Sequence, residues 1–478
     1  MKKSDLVKGL KELGLKKNDI VLMHSSFRSL GDFKGSVDDV IDAFMSILGP
    51  KGALIVPVFG SLGILPERVK ARKDVFISEV PVGTLAGIGG RAKDVLSGHW
   101  EAETAHGEGS PFLKIAEAGG YICLLGVDQD RNTTLHSAEA LLKLPYLGSC
   151  TRTCNAPDGK EVTRTWHYYP GPHRDFIGLD HIMRESGIME VSRIGDAQVR
   201  LIKAKEMLEL MVELGDEDPA FALCDNPACA DCVRQRAAIF ADRIANESFK
   251  LSVSSRLAGH YVPEMIEKLQ AAGIKYVELD YVQGKACAFM DAQQLKRIVD
   301  DFKEAKITVS ALRSYVVPED TNGFVGKMKE AGIDRVILPL FDFFYGASAF
   351  AKEGIVVDFV NTHVTPSQAV QALLKVAPLK RRAFVFSPSG FVLAGRNPFL
   401  NAWRVGQFMK TIAQLDVADR TWDGEIRSFA KGNGEIKELV SILRCHNFSG
   451  WLTLGGGSPY PGNLEAAVKD FTHLLDTI

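Results

Sequence analysis

A histidine and a glutamate in the segment NTTLHSAEALL have the spacing of a catalytic pair. His136 and Glu139 are three residues apart, so they lie on one face of a helix that is predicted to begin just after Thr133 and Thr134. A carboxylate beside an imidazole fixes the tautomer of the ring and stabilises the imidazolium that forms when the ring takes a proton. The pair is therefore a candidate general base, with a plain surface or capping pair as the alternative.

Small polar residues stand at the end of one predicted strand and at the start of one predicted helix. His24, Ser25 and Ser26 end the strand DIVLMHSS, where hydroxyls and backbone N–H groups suit an anionic or amide-rich ligand arm. Ser110 lies in the tight turn GEGSP before the helix FLKIAEAGG. Both segments therefore have a binding interpretation, and both are also explained as an N-cap or a loop.

Three cysteines have the spacing C-x4-C-x2-C, namely Cys224, Cys229 and Cys232. The 8 cysteines of the 478-residue chain are too few for a disulfide scaffold and indicate a reducing compartment, so the cluster suggests thiolate ligation. Tetrahedral zinc needs a fourth ligand, which Cys150, Cys154 or a histidine of WHYYPGPH provides if the fold brings it close. Structural zinc, an iron–sulfur cluster and unligated buried thiols all remain open.

The elements that would position the candidate general base and the small polar segments form a mixed α/β domain, which we place at residues 1–245. Strands are predicted at DIVLMHSS, GALIVPVF and YICLLGV, and helices at SVDDVIDAFMSILG and GDAQVRLIKAKEMLELMVELG. Their spacing is irregular, so no simple repeat organises this half of the chain.

A regular alternation follows over residues 246–478. Short β-branched runs, among them IKYVELDY, DRVILPLF and GWLTLGG, are separated by helical segments such as VPEMIEKLQAAG. Strand and helix repeat about eight times, as in a (β/α)8 barrel. The fold class is therefore α/β, with an N-terminal mixed domain and a C-terminal barrel.

Composition excludes several classes of protein. With 46% hydrophobic and 24% charged residues, the chain is typical of a globular protein and not of a disordered or coiled-coil one. A formal net charge of −2 gives no basic field for nucleic acid. Neither an unbroken apolar signal segment nor a long apolar run is present, so we expect a cytoplasmic protein without a membrane or nucleic-acid partner.

The ordered segments VLMHSSFRSLG, GALIVPVF, GEGSPFLKI and GGYICLLGVDQDRNTTLHSAE resemble the aminoglycoside 3-N-acetyltransferase family over roughly residues 1–215. The resemblance implies acetyl transfer from acetyl-CoA to a small-molecule amine without a covalent enzyme intermediate. It implies His136 as general base and Glu139 as its orienting partner. It also implies that the HSS loop, with Ser25 and Ser26, and Ser110 of the GSP turn line the groove for pantetheine and CoA.

One segment departs from that family. Its members usually carry an R-S-x-H-P-x-x-S motif where this chain runs straight through GTLAGIGGRAKDVLSGHW. If that motif helps to form the acceptor pocket, the acceptor is an amine other than a classical aminoglycoside, or turnover has been lost.

Residues 249–478 resemble the xylose isomerase-like sugar phosphate isomerase/epimerase barrels, on IKYVELD, VNTH, FSPSGFVLAGRNPFLNAW, LDVADRTWDGE and FSGWLTLGG. In that family, acidic residues and a histidine at the strand ends bind a divalent cation. Here the usual ligand positions hold Asn361, Ser387, Asp416 with Asp419, and Gly455. We therefore expect a barrel without a working metal site.

The leading hypothesis is an acetyl-CoA-dependent N-acyltransferase that acetylates an amino sugar or aminoglycoside-like amine, with a barrel of recognition or scaffolding role. The alternatives are a sugar isomerase or epimerase in the barrel, and a non-catalytic sugar-binding or assembly protein. The residues left at the expected barrel mouth are Glu278, Asp280, His363, Asp416 and Asp419. A homo-oligomer is plausible for an enzyme of this kind.

Overall fold

The computed structural model describes residues 1–60, 62–170, 174–340, 347–362, 364–376, 383–406 and 408–478. The chain divides into two compact units, Met1–Gln235 and Arg236–Ile478. The division falls inside the helix Ala230–Ala245, ahead of the boundary that we placed between residues 245 and 246. Within these described ranges, no helix combines the length and the apolar character needed to cross a bilayer.

The first unit is built on a seven-stranded mixed sheet with the order β3-β4-β2-β1-β5-β9-β8. Strands β2, β1 and β5 run parallel, and the flanking strands pair antiparallel. A separate two-stranded hairpin, β6 with β7, completes the strands of this unit. The bounds are β1 Ile20–Ser25, β2 Ala53–Pro57, β3 Phe76–Ile77, β4 Leu85–Ile88, β5 Tyr121–Leu125, β6 Gly148–Asn155, β7 Glu161–Tyr168, β8 Met189–Ile194 and β9 Ala197–Lys203.

The helices of the first unit cover the sheet, and the sheet separates two apolar cores, one on each face. The run IVLM of β1 is buried throughout, as expected for a central parallel strand that is covered on both faces. The helix after it is capped by Ser36, which accepts a hydrogen bond from the backbone N–H of Asp39. The bounds are α1 Lys3–Glu12, α2 Val37–Leu48, α3 Ile64–Lys70, α4 Ala92–Leu96, α5 Pro111–Glu117, α6 Leu135–Leu141, α7 Asp180–Glu185, α8 Ala204–Glu217 and α9 Ala230–Ala245.

The strands predicted at DIVLMHSS, GALIVPVF and YICLLGV are confirmed as β1, β2 and β5. The helix predicted over GDAQVRLIKAKEMLELMVELG is wrong in its first part, because β9 occupies Ala197–Lys203 and α8 begins at Ala204. Val199 and Leu201 contribute to one core and Ile202 to the other. This two-sided burial belongs to a strand paired with β5, and the long amphipathic helix that follows it masks the change of period.

The topology places the ends of three strands at one edge of the sheet. Because β2, β1 and β5 are parallel, their carboxyl ends meet there, and ligands of open α/β sheets bind outside such ends. His24 and Ser25 end β1, and the segment between β5 and α6 leads directly to His136. The fold therefore brings two segments that are far apart in sequence to the same edge.

The second unit contains a closed barrel of eight parallel strands, as predicted from the alternating pattern. The barrel strands are β10 Lys250–Ser254, β11 Tyr276–Leu279, β14 Thr308–Arg313, β15 Arg335–Pro339, β16 Val356–Val360, β17 Phe384–Phe386, β18 Ile412–Val417 and β21 Trp451–Leu454. Two short hairpins lie between them, β12 Tyr281–Val282 with β13 Lys285–Ala286, and β19 Asp419–Arg420 with β20 Ile426–Arg427. The helices are α10 Ser255–Ala258, α11 Val262–Ala271, α12 Ala292–Glu304, α13 Thr321–Ala331, α14 Ala347–Lys352, α15 Pro366–Val376, α16 Pro388–Leu393, α17 Arg404–Gly406, α18 Ile436–Cys445 and α19 Leu464–Asp476.

Candidate active site

The predicted His136–Glu139 pair forms a direct contact on α6. This helix begins at Leu135, just after Thr134, where the sequence placed its start. The Nδ1 atom of His136 lies 2.6 Å from Oε2 of Glu139, and both side chains are buried. A hydrogen bond at Nδ1 leaves Nε2 as the ring nitrogen that can take a proton from a bound molecule.

An arginine that the sequence analysis missed holds the other side of the carboxylate. The Nε atom of Arg174 donates to Oε1 of Glu139 at 2.9 Å, and the arginine side chain is fully buried. Arg174 also donates to Oε1 of Gln235 at 3.4 Å, and Gln235 donates to the carbonyl of Pro145 at 3.2 Å. Glu139 thus lies between a cation and the imidazole, which fixes its orientation.

The electrostatics of Glu139 favour its ionised form. Burial acts to raise the pKa of the carboxyl, but the hydrogen bond from His136 and the charges of His136 and Arg174 outweigh it and lower that pKa. A buried carboxylate that stays ionised can stabilise an imidazolium on His136. The arrangement has the three parts of a general base: a ring, a carboxylate that orients it and a cation that orients the carboxylate.

Aromatic rings enclose His136. Tyr169 is stacked parallel to it, with centroids 6.4 Å apart, and Phe176 meets it edge-on at 5.2 Å. The hydroxyl of Tyr169 lies within hydrogen-bond distance of the carbonyls of Glu139 and Leu144, so the ring is tied to the helix that carries the pair. These contacts restrict the imidazole to one position.

His136 lines a cavity of about 710 Å³ at the edge where β1, β2 and β5 end. His24 and Ser25 line the same cavity, so the structure brings them together with His136. Ser26 and Ser110 are not among its lining residues. Ser26 precedes the turn Phe27–Leu30, and Ser110 is buried at the start of α5.

A second buried histidine, His106, was not recognised from the sequence. It lines the cavity with its ring centroid 5.6 Å from that of His136, and within the described part of the chain neither ring nitrogen has a hydrogen-bond partner. The sequence signal for His106 was its position just before the GEGSP turn, where the binding interpretation was given to Ser110. Arg174 left no comparable signal, because it is distant from Glu139 in sequence.

The two additional histidines of the cavity are uncharged at neutral pH. Burial lowers the pKa of His24 to about 3. Burial, together with the neighbouring His136 and His99, holds the pKa of His106 well below its usual range. Both rings therefore offer neutral donors and acceptors to a bound molecule and add no positive charge.

The three cysteines with C-x4-C-x2-C spacing come together around the start of α9. The sulfur atoms of Cys224, Cys229 and Cys232 all lie within 4.8 Å of one another. Cys232 is buried in the first turns of α9, the helix that also carries Gln235. The cluster is therefore placed one helical turn from the residue that contacts Arg174.

The expectation that Cys150 or Cys154 completes the cysteine cluster is not met. Both lie on β6, where Cys150 lines the cavity and accepts a hydrogen bond from Nε of Arg152 at 3.3 Å. Cys154 packs against the apolar cluster around Trp100 and Trp166. Pairing of β6 with β7 holds the two thiols in a hairpin away from the other three. His173, the last residue of WHYYPGPH, lies outside the described residues.

Inside the barrel, an arginine occupies the carboxylates that a cation would need. The guanidinium of Arg313 donates to Glu278 at 2.5 Å and to Asp416 at 2.7 Å, and all three side chains are buried. Gln414 donates to the same two carboxylates at 2.7 and 2.9 Å. The positive charge between Glu278 and Asp416 is therefore supplied by the protein itself.

The other mouth residues also have protein partners. Asp280 pairs with Arg256 at 2.8 Å, and Asp419 accepts hydrogen bonds from the backbone of Gly432 and Gly434. Asn361 exchanges two hydrogen bonds with the backbone of Ser387. His363 lies outside the described residues. Among the barrel residues that the structure describes, no three metal-ligating side chains cluster as the cysteines do.

Comparison with known proteins finds similarity within the first unit. Residues 22–61 and 59–215 match the family described as aminoglycoside 3-N-acetyltransferase. Aminoglycoside N(3)-acetyltransferase IV of a Salmonella species is 28% identical over 240 residues, which cover 46% of this chain and 90% of that protein. The prophage-derived aminoglycoside N(3')-acetyltransferase-like protein YokD of Bacillus subtilis is 25% identical over 252 residues, covering 43% of this chain and 89% of YokD.

Solved structures with the same description cover the same half of the chain. The crystal structure of aminoglycoside acetyltransferase AAC(3)-IVa as the apoenzyme is 26% identical, has a TM-score of 0.45, and covers 50% of this chain and 97% of that one. The binary structure of AAC-IIIb with CoASH is 22% identical, with a TM-score of 0.42 and 48% and 99% covered. The N-terminal unit is therefore similar in sequence to the aminoglycoside 3-N-acetyltransferases over most of its length, and this likeness supports an acetyltransferase enzyme.

Proposed function

We propose that the protein is an acetyl-CoA-dependent N-acetyltransferase whose acceptor is the amine of an amino sugar or aminoglycoside-like molecule. The observation that carries the proposal is the buried chain His136–Glu139–Arg174 beside the cavity at the ends of β1 and β5. The sequence match to aminoglycoside 3-N-acetyltransferases supports the same reaction.

In the proposed reaction, His136 acts as general base through Nε2. The amine nitrogen forms a bond to the acetyl carbonyl carbon, the carbon–sulfur bond breaks, and CoA leaves as a thiolate. Nε2 takes the proton that the amine loses, Glu139 stabilises the resulting imidazolium, and the proton then passes to the departing thiolate. Arg174 acts through Glu139 and is a positioning residue. His24 and Ser25 are proposed to contact the pantetheine arm, together with Ser26 and Ser110 by resemblance.

The assay that tests this function mixes the full chain with acetyl-CoA and a panel of amino sugars and aminoglycosides. Release of free thiol gives the rate, and the mass of the product confirms acetylation of the amine. Acetyl-CoA binding is measured separately by calorimetry. Absence of both transfer and acetyl-CoA binding would contradict the proposal.

The isomerase alternative for the barrel predicts a divalent cation at Glu278 and Asp416, and the structure favours the opposite. Because Arg313 already bridges these carboxylates, a hard cation would have to displace a guanidinium from two charged hydrogen bonds. We therefore expect no micromolar Mn²⁺ binding to the full chain by calorimetry. Binding that disappears on Asp416→Asn would restore the isomerase hypothesis.

We also propose that Cys224, Cys229 and Cys232 bind a structural zinc ion as thiolates. Sulfurs around tetrahedral zinc lie about 3.8 Å apart, given Zn–S bonds of about 2.3 Å, and the separations in the cluster are compatible with that geometry. Within the described ranges no fourth histidine, cysteine or carboxylate joins the group, so His167 of WHYYPGPH does not complete it, and His173 of the same segment lies outside the described residues. When bound, the ion would link the segment after α8 to the first turn of α9, near Gln235.

Metal analysis of the purified full chain tests the zinc proposal. We expect about one equivalent of zinc in the wild type and strong loss of zinc in Cys232→Ser. Cys445→Ser removes an exposed thiol outside the cluster and serves as the matched control. Less than about a tenth of an equivalent of zinc in the wild type, with unchanged thermal unfolding after chelation, would contradict the site.

The remaining assignments stay predictions from the sequence. They are the likeness of the barrel to the xylose isomerase-like family, the division into domains at residues 245 and 246, a cytoplasmic location and a homo-oligomer.

A further inference from the structure

The wall of the active-site cavity carries few negative charges. Among the described residues that line it, Asp130 is the single carboxylate, and two arginines, Arg131 and Arg152, line it as well. Asp130 lies 3.3 Å from Nε of Arg131, so its charge is already compensated. The sequence adds no acid at the neighbouring positions 61 and 171–173, which hold Ser, Gly, Pro and His.

Glu139, the carboxylate that contacts His136, does not present its charge to a ligand. Glu139 lies behind His136 with a side chain only 2% exposed. Its two oxygens are engaged by His136 and Arg174. The potential that an acceptor meets in the cavity is therefore neutral to positive.

The hydrogen-bonding groups of the wall are mostly uncharged. Apart from His24 and Ser25, which are assigned to the pantetheine arm, Asn132 Oδ1 and both nitrogens of His106 are buried polar atoms with no partner among the described residues, and both residues line the cavity. Neutral donors and acceptors of this kind match hydroxyl groups. Ammonium groups need carboxylates or several oriented carbonyls when they are desolvated.

Aminoglycosides carry several ammonium groups on one compact body. Moving such a polycation into this cavity would remove water from charges that find no counter-charge, beside Arg152 on the hairpin β6–β7. A sugar with one amine loses its only positive charge when that amine is deprotonated for attack. Its remaining hydroxyls can bind the neutral groups of the wall.

We propose that the acceptor is an amino sugar with a single amine and an uncharged, hydroxyl-rich body, and that polycationic aminoglycosides are poor substrates. This inference rests on the proposed acetyltransferase function and narrows its acceptor. The altered segment GTLAGIGGRAKDVLSGHW agrees with it, because the chain lacks a motif that members of the resembling family usually have.

The test compares acceptors that differ in charge at fixed, saturating acetyl-CoA and near-physiological salt. Methyl glucosaminide is the single-amine probe, and neamine and kanamycin are the multi-amine probes. We expect kcat/KM for methyl glucosaminide to exceed that for either polycation by at least about tenfold. Calorimetry with CoA-saturated protein is expected to show no micromolar binding of kanamycin.

A charge-reversal variant links the preference to the cavity. Arg152→Glu adds a carboxylate to an exposed position of the wall. It is expected to lower the ratio of kcat/KM for methyl glucosaminide to kcat/KM for the polycations by roughly two- to fivefold. Arg193→Glu makes the same change in net charge at an exposed position of β8 that does not line the cavity, and should leave the preference unchanged.

The outcomes separate the two proposals. Faster acetylation of the polycations than of the single-amine sugar would overturn the acceptor assignment and leave the acetyltransferase standing. Acetyl-CoA binding without transfer to methyl glucosaminide would also overturn it. Failure to bind acetyl-CoA and to acetylate any probe would overturn the proposed function, and the acceptor assignment with it.

Discussion

Replacement of His136 by alanine is expected to lower kcat/KM for acetyl transfer by about 10²–10⁴-fold, while acetyl-CoA binding is retained. His136 is the group of the cavity whose Nδ1 is held by a carboxylate, so its Nε2 is aimed at a bound molecule in one tautomer. The amine must lose a proton as it attacks, and water is a poor substitute for a positioned imidazole.

The measurement is steady-state transfer across pH with a parallel calorimetric titration of acetyl-CoA. The rate of His136→Ala should fall at neutral pH and recover in part at alkaline pH, where more of the amine is already unprotonated. His181→Ala, at an exposed position of α7, changes the same residue type outside the cavity and should behave as wild type. Wild-type turnover in His136→Ala would remove this residue from the mechanism.

Loss of acetyl-CoA binding in His136→Ala would have a different meaning. Tyr169 and Phe176 pack on the ring, so deletion of the imidazole can disturb the wall. His136→Gln keeps more of the volume and cannot act as a base at neutral pH. If the glutamine variant binds acetyl-CoA and fails to turn over, the chemical role is separated from the packing role.

The sequence predicted the parts of the site that depend on local spacing. His136 and Glu139 lie three residues apart on one helix, and the helical period alone brings them into contact. The grouping of the three cysteines could likewise be predicted from local spacing, because a short loop and one helical turn connect them. The alternation of strands and helices likewise predicted the barrel, since each repeat contributes one strand and one covering layer.

The sequence could not predict the contacts that depend on tertiary folding. Arg174 and Gln235 reach the site from segments distant in the chain, so no periodicity links them to Glu139. The same holds for Arg313, whose position between Glu278 and Asp416 follows from closure of the barrel. In the sequence, the only sign of the hydrogen bonds that take the place of a cation there was the absence of the usual metal-ligand residues. Strand β9 was missed because residues on both of its faces are buried, so its sequence lacks the alternation of a half-buried strand.

The second large effect is expected when the carboxylate between His136 and Arg174 is removed. Glu139→Ala takes away the charge that faces a fully buried guanidinium and is expected to cost about 3–5 kcal/mol of unfolding free energy. Glu139→Gln keeps the shape and should cost less stability. Because the amide cannot stabilise an imidazolium as a carboxylate does, we expect its kcat to fall about 10²-fold.

The pH dependence of stability identifies the ionised carboxylate. The pKa of Glu139 is lowered in the folded protein, so its ionisation stabilises the fold above the usual pKa of 4.5. That contribution decreases as the pH falls below 4.5 and is lost as the pH passes through the lowered value. Denaturant unfolding of wild type and Glu139→Gln should therefore differ most at neutral pH and converge in acid.

A matched variant separates the role of Glu139 from that of any buried acid. Glu278→Gln removes a buried carboxylate that also contacts an arginine, but it lies inside the barrel. It should reproduce the loss of stability and its acid dependence. Burial raises the pKa of Glu278, but the charge and hydrogen bond of Arg313 outweigh burial, so this pKa is lowered as well. Acetyl transfer at temperatures where the variant stays folded should be unchanged. Equal loss of kcat in the two variants would mean that Glu139 acts through stability and not through His136.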